Sequence, residues 1–306
     1  VREAEAKLPI ALEELSKLII SPIAKDLTKK RIAIVADGSL QYIPFSLLKI
    51  DNKYLIENSE IINLPSATFL SELRKKDTAK VENKKLLAVI ADPVFDRNDS
   101  RLSIFQKTSN TGDALPRLLF SRQEANAIAS IVPKNDIFLA MDFEANKSAA
   151  MSENLSKFRI VHFATHGVLD SERPELSGLI FSMLDRKGDS QNGFLRLLEI
   201  YNLKMPADLV VLSGCQTGLG KEVRGEGLIG LTRGFMYAGA SRVAASLWQI
   251  DDSATAELMK LFYEAMLKEK LKPAEALRKA QLQMLAQKRW QNPYYWAGFT
   301  IQGDWQ

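Results

Sequence analysis

Cys215 is the single cysteine of the chain, and His162 and His166 are its two histidines. Cys215 follows the apolar run Leu209-Val210-Val211-Leu212 and sits in the turn Ser213-Gly214-Cys215-Gln216-Thr217-Gly218. His166 likewise follows an apolar run, Ile160-Val161-His162-Phe163-Ala164, and precedes Gly167. Two strand-like segments thus each deliver one reactive side chain near the C-terminal end. In an open α/β sheet that edge is where crevices form. A thiolate beside an imidazole is the chemistry of a cysteine hydrolase. The bland reading of a lone cysteine is a small buried hydrophobe. The glycine before Cys215 and the Gln-Thr-Gly after it argue instead for a turn.

Other chemistries fit the same residues less well. His162 and His166 have the spacing of a helical zinc pair, but Phe163 stands where that motif needs Glu. On a strand the two rings lie roughly 13 Å apart, at about 3.3 Å per residue, too far to share one metal. No metal site is expected. His162, in mid-strand, reads as a structural imidazole with a hydrogen-bonded partner; His166, at the strand end, reads as the functional one. Gly225-Glu226-Gly227-Leu228-Ile229-Gly230 satisfies G-x-G-x-x-G, and Asp251 follows at the distance of a ribose-binding acid. Those glycines do not cap a strand directly, however, so they read as helix–sheet packing and a flexible entry loop, and no cofactor is expected. A serine nucleophile has no G-x-S-x-G elbow to sit in. Asp252 precedes Ser253 and a periodic helix. It reads equally as an N-cap and as a carboxylate on the same edge as His166 and Cys215, where it would pair with a basic substrate side chain. Glu226 carries a weaker version of that ambiguity, and Asp251 is a further candidate for the substrate-binding role.

The elements that must position these groups come in two sets. Residues 2–29 read as a helix interrupted by Pro9 and Pro22. Ile32–Val35 reads as a strand turned at Asp37-Gly38, with Tyr42–Phe45 returning against it. Short strands at Tyr54–Ile56 and Glu60–Leu64 follow, then a helix capped by Ser66 and running to about Lys75. The charged run Lys75–Lys85 reads as a linker or exposed loop. Beyond it strands and helices alternate. The strands are Leu86–Ile90, Ile137–Ala140, the run ending at His166, the run ending at Cys215, Arg242–Trp248 and Phe299–Ile301. The helices lie near Ser121–Ile131, Ala145–Leu155, Arg196–Leu203, Gly225–Ala238, Ser253–Leu267 and Ala274–Arg289. A polar stretch to about Leu115 and the segment Leu169–Asn192 read as loops. Near-continuous apolar strands separated by helices predict a mostly parallel sheet covered on both faces.

Composition bounds the function classes. Hydrophobic residues at 46 % and charged residues at 25 % are ordinary for a globular chain and exclude disorder. A formal net charge of +4, dispersed along the chain, gives no reason to expect direct nucleic-acid binding. One cysteine permits no intrachain disulfide, which points to a reducing compartment, and a cytoplasmic location is expected. No apolar run approaches the ~18–20 residues of a membrane span, and no secretory leader opens the sequence. The start at Val1 predicts a piece of a longer polypeptide.

Taken in order, the motif blocks resemble the CHAT family, caspase-like peptidase domains usually attached to TPR repeats. The blocks are Asp37-Gly38-Ser39-Leu40-Gln41-Tyr42-Ile43-Pro44-Phe45, His162–Gly167, Leu212–Gly218, Gly225-Glu226-Gly227, Ala238-Gly239-Ala240 through Ser246-Leu247-Trp248, and Tyr295–Phe299. The family usually has Ala where Gly214 stands. The resemblance implies a caspase-like three-layer α/β/α sandwich with a mostly parallel central sheet, over residues 81–306. It also implies an accessory N-terminal α+β region over residues 1–80, and a regulatory TPR or partner module outside the chain. It implies His166 and Cys215 as the catalytic dyad of an endopeptidase acting on protein substrates, with the backbone N–H groups of Gly167 and Cys215 facing the oxyanion. Relatives such as separase prefer a basic residue before the cleaved bond, which favours Asp252 as a substrate-binding group. The alternative is a proteolytically silent interaction module of the same fold.

Overall fold

A strip of buried β-branched and leucine residues runs through the middle of the chain, and the fold is the covering of that strip on both sides. The structure, a computed structural model, describes residues 2–76, 84–102, 115–170, 173–214 and 226–305. In chain order the regular elements begin with α1 (Arg2–Leu15), β1 (Arg31–Ile34), β2 (Lys49–Ile50), β3 (Lys53–Tyr54), α2 (Leu55–Asn58), β4 (Glu60–Asn63) and α3 (Ala67–Lys76). Next come β5 (Lys85–Pro93), α4 (Leu119–Ala129), β6 (Ile137–Asp142), α5 (Lys147–Ala150), β7 (Phe158–Ala164), β8 (His166–Val168), β9 (Gly178–Ile180), β10 (Phe194–Arg196) and α6 (Leu197–Tyr201). The last are β11 (Leu209–Leu212), α7 (Glu226–Tyr237), β12 (Arg242–Ser246), α8 (Asp252–Tyr263), α9 (Pro273–Ala286) and β13 (Phe299–Gly303).

Eight strands form one sheet in the order β1-β4-β13-β12-β11-β7-β5-β6. Neighbours are parallel except β12 with β13. Successive residues of each central strand alternate between two cores. Leu87, Val89 and Ala91 of β5, with Ile160 and Ala164 of β7 and Val211 of β11, pack under α4, α8 and α9. Ala88 and Ile90, with Val161, Phe163, Val210 and Leu212, pack under α6 and α7. Both faces are therefore dry, which is why these strands read as continuous apolar runs. The result is the expected three-layer α/β/α sandwich with a mostly parallel sheet.

β7 lies between β5 and β11, with Ala91 opposite Ala164 and Leu212 opposite Phe163. The residues after all three strand ends thus enter one crevice. Chain order runs outward from β5 in both directions, to β6 on one side and to β7, β11 and β12 on the other. That reversal makes this edge the switch point where doubly wound sheets bind ligands.

Several local expectations are corrected. No hairpin follows β1: residues 38–42 and 45–47 form 3₁₀ turns, and β1 pairs in parallel with β4 instead. Gly38 takes a positive φ of 53°, with the Asp37 carboxylate capping its N–H, which starts a helical turn and not a return strand. β1 and β4, from the stretch read as accessory, accordingly extend the main sheet. The first helix ends near Ile23, short of residue 29, and Pro9 sits inside it. Residues 55–58 are helical where a strand was expected. The strand toward His166 breaks after Ala164: His166 belongs to β8, which pairs with β9 in a separate three-stranded sheet. β9 falls inside the stretch read as a loop. Gly230 and Gly234 of α7 pack against a helix and not against the sheet: a Cβ on either would come within 3.1 or 2.9 Å, respectively, of the Leu197 methyls in α6. Most of the linker read at Lys75–Lys85 lies outside the described residues.

Candidate active site

The strand break after Ala164 places His166 at the sheet edge. Its ring is buried, 3 % exposed, and stacks at a tilt on Phe95 with centroids 4.8 Å apart. Nε2 lies 2.7 Å from the Pro116 carbonyl oxygen. A carbonyl only accepts, so Nε2–H donates, and the neutral ring keeps its lone pair on Nδ1. Burial holds the imidazole below its ordinary pKa, with the Pro116 hydrogen bond opposing in part. His166 is thus poised as a neutral base near pH 7.

The neighbouring strand end is threaded close beneath it. Ser213 N–H donates to the Phe163 carbonyl at 3.0 Å. A Cβ added to Gly214 would lie 2.0 Å from the Thr165 carbonyl oxygen, so the chain passes here only as glycine in this arrangement. Gly167 lies in β8 opposite Leu179, and a Cβ on it would sit 3.9 Å from the Gly214 carbonyl. Cys215, with the N–H expected to complete the oxyanion site, lies outside the described residues. The structure does bring His166 and Gly167 to the point where the chain leads from Gly214 into Cys215.

A cavity of about 440 Å³ opens beside these groups, and His166, Ser213, Gly214, Glu124, Asp251 and Asp252 line it. Asp252 is the first residue of α8, and its Oδ2 accepts the Phe120 N–H at 2.8 Å. Burial pushes its carboxyl up to about 6, with the Phe120 N–H opposing and Glu124, Asp251 and Asp92 adding repulsion. The N-cap of α8 is Asp251, which accepts the Ala254 N–H at 3.0 Å; the cap reading of Asp252 is therefore corrected. Glu226 opens α7.

Beneath the cavity His162 is fully buried, as a mid-strand imidazole should be. Its Nδ1 shares a 3.0 Å hydrogen bond with the Tyr263 hydroxyl of α8, and its Nε2 shares one of 3.1 Å with Ser213 Oγ. Burial, then the nearby Glu124 carboxylate, pushes the Tyr263 hydroxyl well above the usual phenol range. Glu124 Oε1 approaches His162 Nε2 to 2.8 Å, yet this buried oxygen has no well-formed hydrogen bond. The sequence reading missed Glu124. Its signal was an acid on the apolar face of α4, in the series Ser121, Glu124, Ala125 and Ile128. Among the described residues no cluster of His, Cys, Asp and Glu could hold a metal, and no helix is long and apolar enough to cross a membrane.

A mostly parallel α/β/α sandwich with an imidazole and the Gly214 strand end at its switch point is a caspase-like fold. The chain belongs to the CHAT domain family, whose model matches residues 9–304. Among curated proteins it is 26 % identical to tetratricopeptide repeat protein 28 of Homo sapiens and 25 % identical to that of Mus musculus, in each case over 96 % of this chain and 13 % of the relative. The chain thus spans a small part of the relatives it matches. Among solved structures it resembles the Arg-specific cysteine proteinase gingipain R, with a TM-score of 0.54, 12 % identity, and coverage of 97 % of this chain and 67 % of that one. It also resembles separase in the Saccharomyces cerevisiae separase–securin complex, with a TM-score of 0.51, 16 % identity, and coverage of 89 % and 15 %. At such identities the likeness is one of fold.

Proposed function

We propose that the chain is a cysteine endopeptidase whose His166–Cys215 dyad cleaves protein substrates after a basic residue. His166 takes the Cys215 thiol proton on Nδ1, and the thiolate so formed attacks the scissile carbonyl carbon, with the Gly167 and Cys215 N–H groups facing the oxyanion. As the C–N bond breaks, His166 gives a proton to the leaving amine, and water then hydrolyses the thioester. The observation that carries this reading is the buried, carbonyl-anchored His166 beside the chain leading into Cys215, over a cavity lined by acidic side chains. Asp252 is the group we assign to the basic side chain of the substrate, with Asp251 and Glu226 as lesser contributors. The likeness to a tetratricopeptide repeat protein supports a TPR module or regulatory partner acting on this domain, and a cytoplasmic setting fits the single cysteine.

The test is a peptide ketone with arginine at its reactive end, applied to the full-length protein, together with a positional peptide library. Fast labelling of Cys215, slowed by His166→Ala, is the expected result. A protein that neither reacts with the ketone nor cleaves any library member is instead a silent interaction module.

A further inference from the structure

One short strap, residues 116–124, touches both His166 and Asp252 and lines the cavity between them. The Pro116 carbonyl takes the His166 Nε2–H at 2.7 Å. The Phe120 N–H holds Asp252 Oδ2 at 2.8 Å. Leu118, Ser121 and Glu124 line the cavity itself. A backbone carbonyl orients an imidazole only if its own segment is fixed, and four bonds from two arginines, three of them to one aspartate, do the fixing.

The anchor is Asp92, 1 % exposed near the end of β5. Arg117 grips both its oxygens, Nε to Oδ1 at 2.8 Å and Nη2 to Oδ2 at 2.6 Å. Arg122 adds Nε to Oδ2 at 2.7 Å and also reaches Asp142. Arg101 stands on the other side, donating to the Asp92 carbonyl and to Asp142 Oδ1 at 2.7 Å each. Its Nη2 also donates to the Pro93 carbonyl at 3.1 Å, its Nη1 lies 3.2 Å from Asp92 Oδ2, and its other contacts go to Asp99. Asp92, Asp99 and Asp142 thus balance Arg101, Arg117 and Arg122. Planar bidentate pairing fixes direction as well as distance, which a lysine would not do. Asp92 holds a positive φ of 51°, a conformation open to Asp and Asn and costly for most other side chains. It follows Ala91, which pairs with Ala164 in β7, so the anchor lies one strand away from His166.

We propose that Asp92 and Arg117 are positioning residues: their ion pair seats the strap so that the Pro116 carbonyl holds His166 in one orientation and one tautomer. The catalytic part of this proposal rests on the peptidase reading, but its geometric part does not. Breaking the pair should cost orientation of His166 first, so kcat falls by a larger factor than KM rises through the Phe120–Asp252 contact. A loss of roughly tenfold or more is expected, because a displacement of about 1 Å at the reacting groups costs on the order of a hundredfold.

The experiment uses the fact that the chain has two histidines. Protein labelled with ¹⁵N-histidine gives two imidazole patterns, and the buried His162 serves as the internal reference. The wild type should show His166 as the Nε2–H tautomer. Asp92→Asn, which keeps the backbone conformation and removes the charge, should mix in the Nδ1–H form and lower kcat. Arg117→Ala should do the same, and Arg117→Lys should recover less than half of the lost rate. If Asp92→Asn does not fold, Arg117→Ala carries the test, since its side chain is partly exposed. A folded Arg117→Ala with an unchanged His166 tautomer overturns the proposal, and so does an unchanged kcat in an active protein. A wild type without peptidase activity would count against the dyad and leave the tautomer comparison to decide the clamp.

Discussion

His162 and His166 stand four residues apart in one stretch of chain and live in different chemical worlds. His162 is bonded at both ring nitrogens by side chains, the hydroxyls of Tyr263 and Ser213, inside the layer under α4 and α8. His166 rests on a backbone carbonyl through Nε2 and lines an open cavity. A structural imidazole is held on both sides, and its proton is committed. An imidazole available for proton transfer is held at one nitrogen by a group that cannot titrate. The boundary between the two is the break in β-pairing at Thr165, where β7 leaves the main sheet and β8 begins in the small one.

The sharpest way to break this comparison is to delete each side of it. On the peptidase reading, His166→Ala or Cys215→Ala should lower peptide hydrolysis by at least about a thousandfold, since each partner of a nucleophile–base pair is needed for the same step. Hydrolysis and unfolding midpoints would be followed together, and the His166→Ala midpoint should shift less than that of His162→Ala, because the His166 ring borders the cavity and is held by one hydrogen bond. His162→Ala should do the opposite. It opens a cavity in a dry core and strands the Tyr263 and Ser213 hydroxyls, a loss of about 3 kcal/mol or more. Denaturant midpoints measure it. A His162→Ala protein with wild-type stability and no hydrolysis would reverse the roles assigned to the two rings.

A smaller effect separates the two acids at the start of α8. With Phe120 N–H bound to Oδ2, Asp252 is the carboxylate we place against a basic substrate side chain. Asp252→Asn should lower kcat/KM for an arginine peptide by more than roughly tenfold, as loss of a desolvated charge pair does. Alkylation of Cys215 by a small uncharged reagent should continue at its original rate. Asp251→Ala, by contrast, removes the N-cap and should cost about 1 kcal/mol of stability, with the arginine preference weakened less than in Asp252→Asn. Equal loss of preference in both variants would mean that neither acid alone recognises the basic group.

How far the sequence foretold this follows from which forces act locally. The central strands were legible because burial on both faces leaves an unbroken apolar run, and the edge position of His166 followed from the end of such a run at a glycine. His162 was legible for the same reason, as a polar residue in the middle of it. The hairpin after β1 was misread because a single Asp-Gly pair suits a 3₁₀ turn as well as a hairpin turn. Only the distant strand β4 decides between them. The Asp92 clamp was hidden more deeply. Asp92, Arg101, Arg117 and Arg122 are scattered over thirty residues in segments that look like ordinary polar loop and helix start. Their meeting is a product of topology, and no local periodicity announces it. Asp251 and Asp252 are adjacent acids, and the cap expected at Asp252 falls on its neighbour. Helix geometry settled it through the Ala254 N–H.

The finest distinction concerns what Asp252 costs the fold. Its carboxyl is raised to about 6, first by burial, against an ordinary value near 3.8. The folded state therefore binds this proton more tightly than the unfolded state, and stability attributable to the group falls as pH rises from about 4 to about 6. Below the unfolded value both states are protonated and the cost vanishes; above the folded value it is constant. Asn keeps an oxygen to accept the Phe120 N–H and carries no charge. Asp252→Asn should therefore unfold at a higher temperature than wild type at pH 7.5. The gain should shrink through the window from 6 to 4 and disappear below it. Melting curves of the two proteins across that range measure the difference. A carboxylate kept ionised at a stability cost is what a binding site for a cation requires. An acid kept for the fold would show the reverse slope, with Asp252→Asn the less stable protein at neutral pH.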